Sequence, residues 1–188
     1  VSRIRGLQSH RQKIETASPG RRLAVNLSGV PHDEIQRGQV VTSPGWLRPT
    51  IALDVRLQLL SDAPRGLKHN SQVVFHTSAT ETVAKVRLLE RNEVSPGEET
   101  WAQIFLENPL AVVKGDYFVI RSSDSTLGGG TVVDPYAKRH RRHHSPTLDR
   151  LEVMELGTQD EILVQTLQSS EPASVQVLAD RANLSIDD

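Results

Sequence analysis

Basic side chains are concentrated in two short parts of the chain, and their types and spacing could bind an anion. The first group surrounds a predicted hairpin and contains Arg3, Arg5, His10, Arg11, Lys13, Arg21 and Arg22. The second is KRHRRHH, residues 138–144, with four permanent and three titratable charges. Such groups neutralise phosphates and make binding salt dependent. Both therefore predict contacts with an anionic partner, although for the second a solvated hinge and a histidine metal site remain alternatives.

Motifs of nucleotide hydrolysis and of common hydrolases do not occur in the sequence. It contains no GxxxxGK[ST], no HExxH, no GxSxG and no loop with paired carboxylates. We therefore predict that the chain is not an enzyme and that it holds no metal. It also lacks cysteine, which excludes a disulfide framework and a thiolate zinc site. Both exclusions favour a binding role over a catalytic one.

Composition limits where the protein acts and how it meets a partner. The formal net charge is -1, so attraction to nucleic acid must come from local clusters. No apolar run approaches the roughly 20 residues of a membrane span. The first residues, VSRIRGLQSH, lack the pattern of a signal peptide and do not begin with Met. We therefore expect a cytoplasmic piece of a larger protein with no membrane contact.

Alternating apolar and polar residues predict strands through most of the chain. Leu23, Val25 and Leu27 alternate with polar or small neighbours. A longer run places one set of residues toward the core and the other toward solvent: Ile51, Leu53, Val55, Leu57 and Leu59 against Ala52, Asp54, Arg56 and Gln58. Further strands are predicted at 72–77, 82–90, 100–107 and 117–121, too close together for crossover helices. A mainly β fold of antiparallel barrels follows.

Turn and helix signals divide the chain into predicted domains. Ser-Pro-Gly turns are predicted at 18–20, 43–45 and 95–97, where proline and glycine suit successive turn positions. The predicted units are residues 1–46 with about four strands, 47–135 with about six, a basic linker at 136–150 and a helical segment at 151–188. The first unit is too short to close a barrel, which predicts an exposed sheet edge.

The helical segment has the pattern of a winged-helix domain. Thr158 followed by Glu161 predicts a capping box that starts a helix ending near Pro172. A second helix is predicted after Ser174, and its apolar set suits a helix-turn-helix: Leu178, Ala179, Ala182 and Leu184. The chain is thus expected to include the start of such a domain.

The glycine triplet 128–130 supports two interpretations. Without side chains, its backbone amides could approach a sugar-phosphate backbone closely. The alternative is a β-bulge or a sharp corner of the barrel.

Two long stretches resemble the second and third domains of translational GTPases of the elongation factor Tu class. NPLAVVKGDYFVIRSSDSTLGGGTVVDP, residues 108–135, is similar to the closing hairpin of the third domain. Residues 2–41 resemble the second half of the second-domain barrel. Because an arginine-rich segment and a winged-helix sequence pattern follow, the chain resembles selenocysteine-specific elongation factors in particular. The alternatives are the tRNA-binding barrels of elongation factor Tu or of an initiation factor, and a structural barrel without an RNA partner.

The resemblance implies a non-catalytic portion that binds selenocysteinyl-tRNA and delivers it to the ribosome for UGA recoding. The match of PGRRLAVNL places Arg22 beside the charged selenol. The implied aminoacyl-tRNA contacts are His10, Arg11, Arg22, His76, Thr77, Arg121, Thr126, Gly128 and Gly129. The charge of the basic run, independently of the resemblance, predicts RNA-backbone contacts at Lys138, Arg139, Arg141 and Arg142. His76 departs from the elongation factor Tu pattern, which has arginine at this position.

The same resemblance implies parts of the factor that this chain lacks. GTP and Mg²⁺ are expected in a separate GTPase domain, which makes the complete protein a GTP hydrolase. Further expected partners are that domain, an mRNA hairpin bound through later winged-helix domains, and a second copy of the chain in a strand-exchanged dimer.

Overall fold

A computed structural model describes residues 1–170 of the chain. The described residues belong to two compact units: Val1–Gln39, and a second that begins at Val40. This division precedes the boundary predicted after Trp46. Within residues 1–170, no helix has both the length and the apolar character needed to cross a membrane.

The first unit is a small antiparallel sheet of three strands: β1 (Arg3–Ser9), β2 (Gln12–Ile14) and β3 (Ala24–Ser28). Their order is β2-β1-β3, and a single 3₁₀ turn follows at His32–Glu34. The predicted alternation in β3 is confirmed, since Val25 is partly buried between exposed neighbours. The expectation of about four strands is wrong, because the chain after β3 forms turns instead of a further ladder.

The second unit is built on a closed six-stranded barrel, which confirms the predicted fold class. Its strand order is β10-β11-β4-β9-β7-β6, and every neighbouring pair is antiparallel. The barrel strands are β4 (Thr50–Leu59), β6 (Ser71–Thr77), β7 (Thr80–Leu88), β9 (Glu99–Leu110), β10 (Tyr117–Arg121) and β11 (Thr126–Asp134). A separate two-stranded sheet pairs β5 (Leu67–Lys68) with β8 (Glu93–Val94).

Apolar residues of alternating register fill the barrel, as the pattern predicts. Leu53, Val55 and Leu57 are each fully buried, and the rings of Phe75 and Phe118 stack with centroids 5.1 Å apart. Burying each large apolar side chain contributes roughly 1.5–3 kcal/mol. These contacts hold the six strands as one core.

Two residues of β4 depart from the predicted faces. Ile51, expected in the core, is 56% exposed, because the pairing register shifts between Thr50 and Ala52. Asp54, expected in solvent, is 0% exposed. Its outward face is covered by a later part of the chain, described below.

Glycines at the three predicted turns adopt left-handed backbone conformations. The φ angles are +79° at Gly20, +82° at Gly45 and +84° at Gly97. Side chains disfavour this region and glycine does not, so the Ser-Pro-Gly signals are confirmed.

Two helices follow the barrel: α1 (Ser145–Leu156) and α2 (Gln159–Ser170). The capping box is confirmed, since the Thr158 amide donates to Glu161 Oε2 at 2.9 Å and the Glu161 amide donates to Thr158 Oγ1 at 3.4 Å. The predicted linker at 136–150 is wrong in its second half, because α1 already begins at Ser145 with proline in its first turn, a favoured position. The predicted second winged-helix helix lies outside the described residues.

Helix α1 packs against the barrel wall. Leu151 and Met154, one turn apart on α1, share a buried apolar cluster with Trp101 and Val133 of the barrel and with Ile162 of α2. The spacing of three residues places both α1 side chains on one face. The helices are therefore part of the same folded unit as the barrel.

Candidate nucleic-acid interface

The turn between β1 and β2 holds two predicted contact residues in a strained conformation. Ser9 pairs with Gln12, so His10 and Arg11 form a two-residue loop. Their φ angles are +52° and +66°, a region that costs non-glycine residues roughly 1–2 kcal/mol each. Two-residue hairpin loops with positive φ at both positions usually have the sequence Asn-Gly, Asp-Gly or Gly-Gly. This hairpin tip thus carries two long polar side chains at a conformational cost.

A cavity of about 620 Å³ lies at this turn, lined by Gln8, His10, Arg11, Arg22, Leu23 and Ala24. Pairing of Gln8 with Ala24 sets β3 against β1, which brings the preceding Arg22 to the hairpin tip. Buried Ser9 joins the two segments: its Oγ donates to the Arg22 carbonyl at 3.2 Å and lies 3.1 Å from His10 Nδ1. The three predicted residues of this unit therefore meet at one cavity.

The charge of the cavity is positive and uncompensated. Arg11 and Arg22 are exposed, and across residues 1–170 neither forms an ion pair with a carboxylate. A guanidinium keeps its charge at any physiological pH. The cavity can therefore attract a small anionic group.

Replacing Arg11 with glycine is expected to stabilise the β1–β2 hairpin by about 0.5–1 kcal/mol, because glycine accepts positive φ without a Cβ clash. Slower hydrogen exchange at the paired Leu7 and Ile14 amides would measure the gain. Arg21→Gly is the matched control, since Arg21 does not have a positive φ and gains no relief. Equal or faster exchange in Arg11→Gly would show that the turn is not strained.

The outward face of β10 brings together predicted residues from three strands. Alternate residues of β10 are exposed: Tyr117, Val119 and Arg121. Val119 pairs with His76 of β6 on one side and with Gly129 of β11 on the other. Arg121 pairs with Thr126. Four of the predicted contacts, His76, Arg121, Thr126 and Gly129, thus share one face of the barrel.

Thr77 and Gly128 do not join that face. Thr77 is 4% exposed, and its hydroxyl donates to the Tyr117 carbonyl at 2.8 Å. Gly128 is buried and pairs with inward-facing Ile120. Both residues position β10 and β11, and neither presents a side chain or surface to a partner.

Close packing of strands explains the glycine triplet. A Cβ would lie 2.2 Å from the Gln58 carbonyl oxygen at Gly128, 2.4 Å from the Phe118 oxygen at Gly129 and 1.8 Å from the Arg56 oxygen at Gly130. These are neighbouring backbones, which cannot yield as side chains do. The register also shifts between Ile120 and Arg121, opposite the start of the triplet, which agrees with the interpretation of the triplet as a bulge or corner of the barrel.

Serine side chains order the loop between β10 and β11. The Ser122 hydroxyl lies 2.8 Å from Asp124 Oδ1 and 2.8 Å from Ser125 Oγ. Its hydrogen bond to Asp124 is the main cause that lowers the pKa of that carboxyl. Sequence reasoning missed this loop, although SSDS has the composition of side-chain-stabilised turns. The loop holds Arg121 and Thr126 at its two ends.

The segment between β11 and α1, residues 136–144, lies on the barrel and is not a solvated hinge. We call it the connector. His140 Nε2 is 2.6 Å from Oδ2 of fully buried Asp54, and Nη2 of Arg150 on α1 is 3.3 Å from the same oxygen. Gln103 Nε2 donates to Asp54 Oδ1 at 2.9 Å and to the Lys138 carbonyl at 2.8 Å. Burial raises the pKa of Asp54, and the hydrogen bond from His140 opposes that rise.

The four predicted RNA-backbone contacts differ in their surroundings. Lys138, Arg139 and Arg141 are exposed, and Arg142 is half-buried. Arg142 donates to the Leu88 carbonyl at 2.9 Å, to the Arg91 carbonyl at 2.7 Å and to Asn92 Oδ1 at 2.7 Å. As for a metal site on the histidines, the part of the chain from residue 1 to 170 contains no group of three or more His, Asp or Glu side chains that could hold an ion.

Sequence reasoning missed the polar cluster that fastens the connector. Asp54 and Gln103 lie on strands, and Arg150 lies in the predicted linker. The alternation of β4 favours a solvated Asp54, and only the connector's position over that face changes its surroundings. No local signal distinguishes such a residue from an exposed one.

Comparison with known proteins agrees with the geometry. A family model described as selenocysteine-specific elongation factor, beta-barrel domain, matches residues 54–139. A protein named selenocysteine-specific elongation factor, from Desulfomicrobium baculatum, is 37% identical over 169 residues, which cover 89% of this chain and 26% of that relative. The chain spans about a quarter of the length of this curated relative.

Proposed function

Since this chain belongs to the selenocysteine-specific elongation factor family, we propose that it binds selenocysteinyl-tRNA for delivery to the ribosome at recoded UGA codons. The observation that best supports the proposal is the cavity shared by His10, Arg11 and Arg22. Its barrel is a translation-factor domain and not a catalytic one. The chain's role is recognition, with no bond made or broken.

The cavity suits the side chain of selenocysteine. A selenol is ionised at neutral pH, whereas the hydroxyl of serine and most of the thiol of cysteine remain neutral. A fixed guanidinium charge at Arg22 therefore favours the selenolate over both. Ser9 holds the backbone of Arg22 and the ring of His10 in place, which limits the entropy lost when the ligand binds.

The outward face of β10 suits the acceptor and T stems of the tRNA. A-form helices are recognised mainly through phosphates, 2′-hydroxyls and shape. Arg121 supplies a cation, the exposed Thr126 supplies a hydroxyl beside it, and partly buried Gly129 leaves the neighbouring surface without a side chain. His76 adds an imidazole whose Nδ1 is 3.3 Å from Glu81 Oε2. Base sequence would contribute little to such a contact.

The remaining activities belong to the complete factor. We propose that a GTPase domain supplies GTP and Mg²⁺ chemistry, that later winged-helix domains bind an mRNA hairpin, and that the factor acts on the ribosome in the cytoplasm. Strand exchange between copies of the chain is also a proposal, supported by the open three-stranded sheet of residues 1–39.

Arg22→Ala is expected to reduce the preference of a complete factor for selenocysteinyl-tRNA over seryl-tRNA on the same tRNA body. Charge-assisted hydrogen bonds contribute about 1.5–3 kcal/mol, so the ratio of the two dissociation constants should fall roughly tenfold to a hundredfold. Arg21→Ala removes an adjacent exposed arginine that does not line the cavity, and it should preserve the ratio. An unchanged ratio in Arg22→Ala would remove Arg22 from the pocket.

A further inference from the structure

We infer that the connector and β7 form an RNA-binding surface for the phosphate backbone of a duplex, apart from the cavity and the β10 face. We call this surface the connector patch, and its members are Arg87, Arg139, Arg141, Arg142 and His143. The inference rests on the proposed RNA-binding role and adds a further contact region to it.

Neutral acceptors fix the two inner guanidinium groups of the connector patch. Arg87 Nη1 donates to the His140 carbonyl at 2.8 Å and to Gln103 Oε1 at 3.2 Å. The partners of Arg142 are two backbone carbonyls and the side-chain amide of Asn92. Carbonyls and amides orient a guanidinium without cancelling its charge. The positive charge of both residues therefore remains available to a partner.

The two outer arginines are held at the surface by their neighbours. His140 is anchored to Asp54, Arg142 to the barrel, and the His143 amide donates to the Leu89 carbonyl at 2.8 Å. Arg139 and Arg141 alternate with these anchored residues and are exposed. The connector thus presents its outer arginines from a backbone that is already ordered, which lowers the entropy cost of binding.

The pKa values of two groups, Arg87 and His69, are lowered in part by the positive charges of the connector patch. Burial is the main cause that lowers the pKa of Arg87, and the charges of Arg139 and Arg142 lower it further. Burial likewise lowers the pKa of nearby His69, helped by Arg142. Within the described ranges, no carboxylate pairs with any of the four guanidinium groups.

The chemistry favours a duplex backbone over unpaired bases. Guanidinium groups match phosphate oxygens in a two-pronged geometry. Four of the five members carry a guanidinium group and only His143 carries an aromatic ring, so the connector patch lacks the succession of rings on which splayed bases stack. Contacts of this type carry little sequence information and strong salt dependence.

The test compares the unsubstituted 188-residue chain with a double variant that carries both Arg139→Gln and Arg141→Gln. The probe is a short RNA duplex. Filter binding across salt concentrations gives the slope of log affinity against log salt. Each phosphate contact contributes roughly one unit to that slope, so the double variant should lose about two. Arg91→Gln is the control, because Arg91 is already paired with Glu98 at 3.2 Å, and its slope should match the unsubstituted chain.

Both outer arginines are exposed, so unfolding midpoints of all variants should agree and folding defects can be separated from binding. An unchanged slope in the double variant would overturn the inference. So would failure of the unsubstituted chain to bind the duplex at low salt, or stronger binding to single-stranded RNA of the same length. The test of Arg22 compares the dissociation constants of selenocysteinyl-tRNA and seryl-tRNA, which differ only in the attached amino acid. The two proposals can therefore fail independently.

Discussion

Gly130→Ala is expected to destabilise the barrel by about 3 kcal/mol or more, or to prevent its folding. The new Cβ would lie 1.8 Å from the Arg56 carbonyl oxygen and 2.9 Å from the Arg56 carbonyl carbon. Both atoms belong to the backbone of β4, which pairs with β11 and β9. The strands would have to separate to admit one methyl group, and the ladder between them would weaken. Denaturant unfolding of the variant measures the loss.

Gly6→Ala is the matched control for the change in chemistry. A Cβ at Gly6 meets nothing within 4 Å, so the same substitution should change stability there by less than about 1 kcal/mol. Unfolding of Gly130→Ala at the same denaturant concentration as the unsubstituted chain would contradict the clash and its consequence. It would also reopen the question of why three glycines occur together.

Asp54→Ala is expected to cost about 3–5 kcal/mol, because removing the buried carboxylate takes away the acceptor that His140, Gln103 and Arg150 share. Arg150 would keep Asp134, 3.5 Å away, as an acidic partner, and His140 would lose its carboxylate. The connector and α1 should then loosen from the barrel. Buried Trp101, which contacts the helices in the same cluster, should show red-shifted fluorescence at denaturant concentrations below the main transition.

Gln58→Ala serves as the control for Asp54→Ala, since Gln58 lies on the same strand with an exposed side chain. Its effect should stay within about 0.5 kcal/mol. If Asp54→Ala unfolds like the unsubstituted chain, the cluster does not hold the connector in place. The ordered backbone on which the connector patch depends would then lack its main support.

Local pattern predicted the elements of the barrel, because each signal acts between near neighbours. The alternation from Leu53 to Leu59 requires one buried face, and it predicts β4 whatever packs above it. The Ser-Pro-Gly turns and the Thr158–Glu161 capping box are complete within four residues or fewer of sequence. Each of these predictions is confirmed in the described residues.

The candidate site was predictable only in part. The resemblance selected His10, Arg11 and Arg22, and the sheet of residues 1–39 places them at one cavity. It also selected Thr77 and Gly128, which the structure places in the barrel wall. A motif records which residue types recur at a position, and it does not separate a residue that touches a partner from one that holds a strand in place.

The sequence by itself determined the period of each strand, the turns, the helix start and the absence of nucleotide-hydrolysing motifs in these 188 residues. Only the tertiary structure decided which polar residues are buried and which glycines meet a neighbouring backbone. Asp54 and His140 are 86 residues apart, and a Cβ at Gly130 would clash with the backbone of a strand far upstream. Barrel closure brings such residues together, so their environments depend on contacts that no local window of sequence contains.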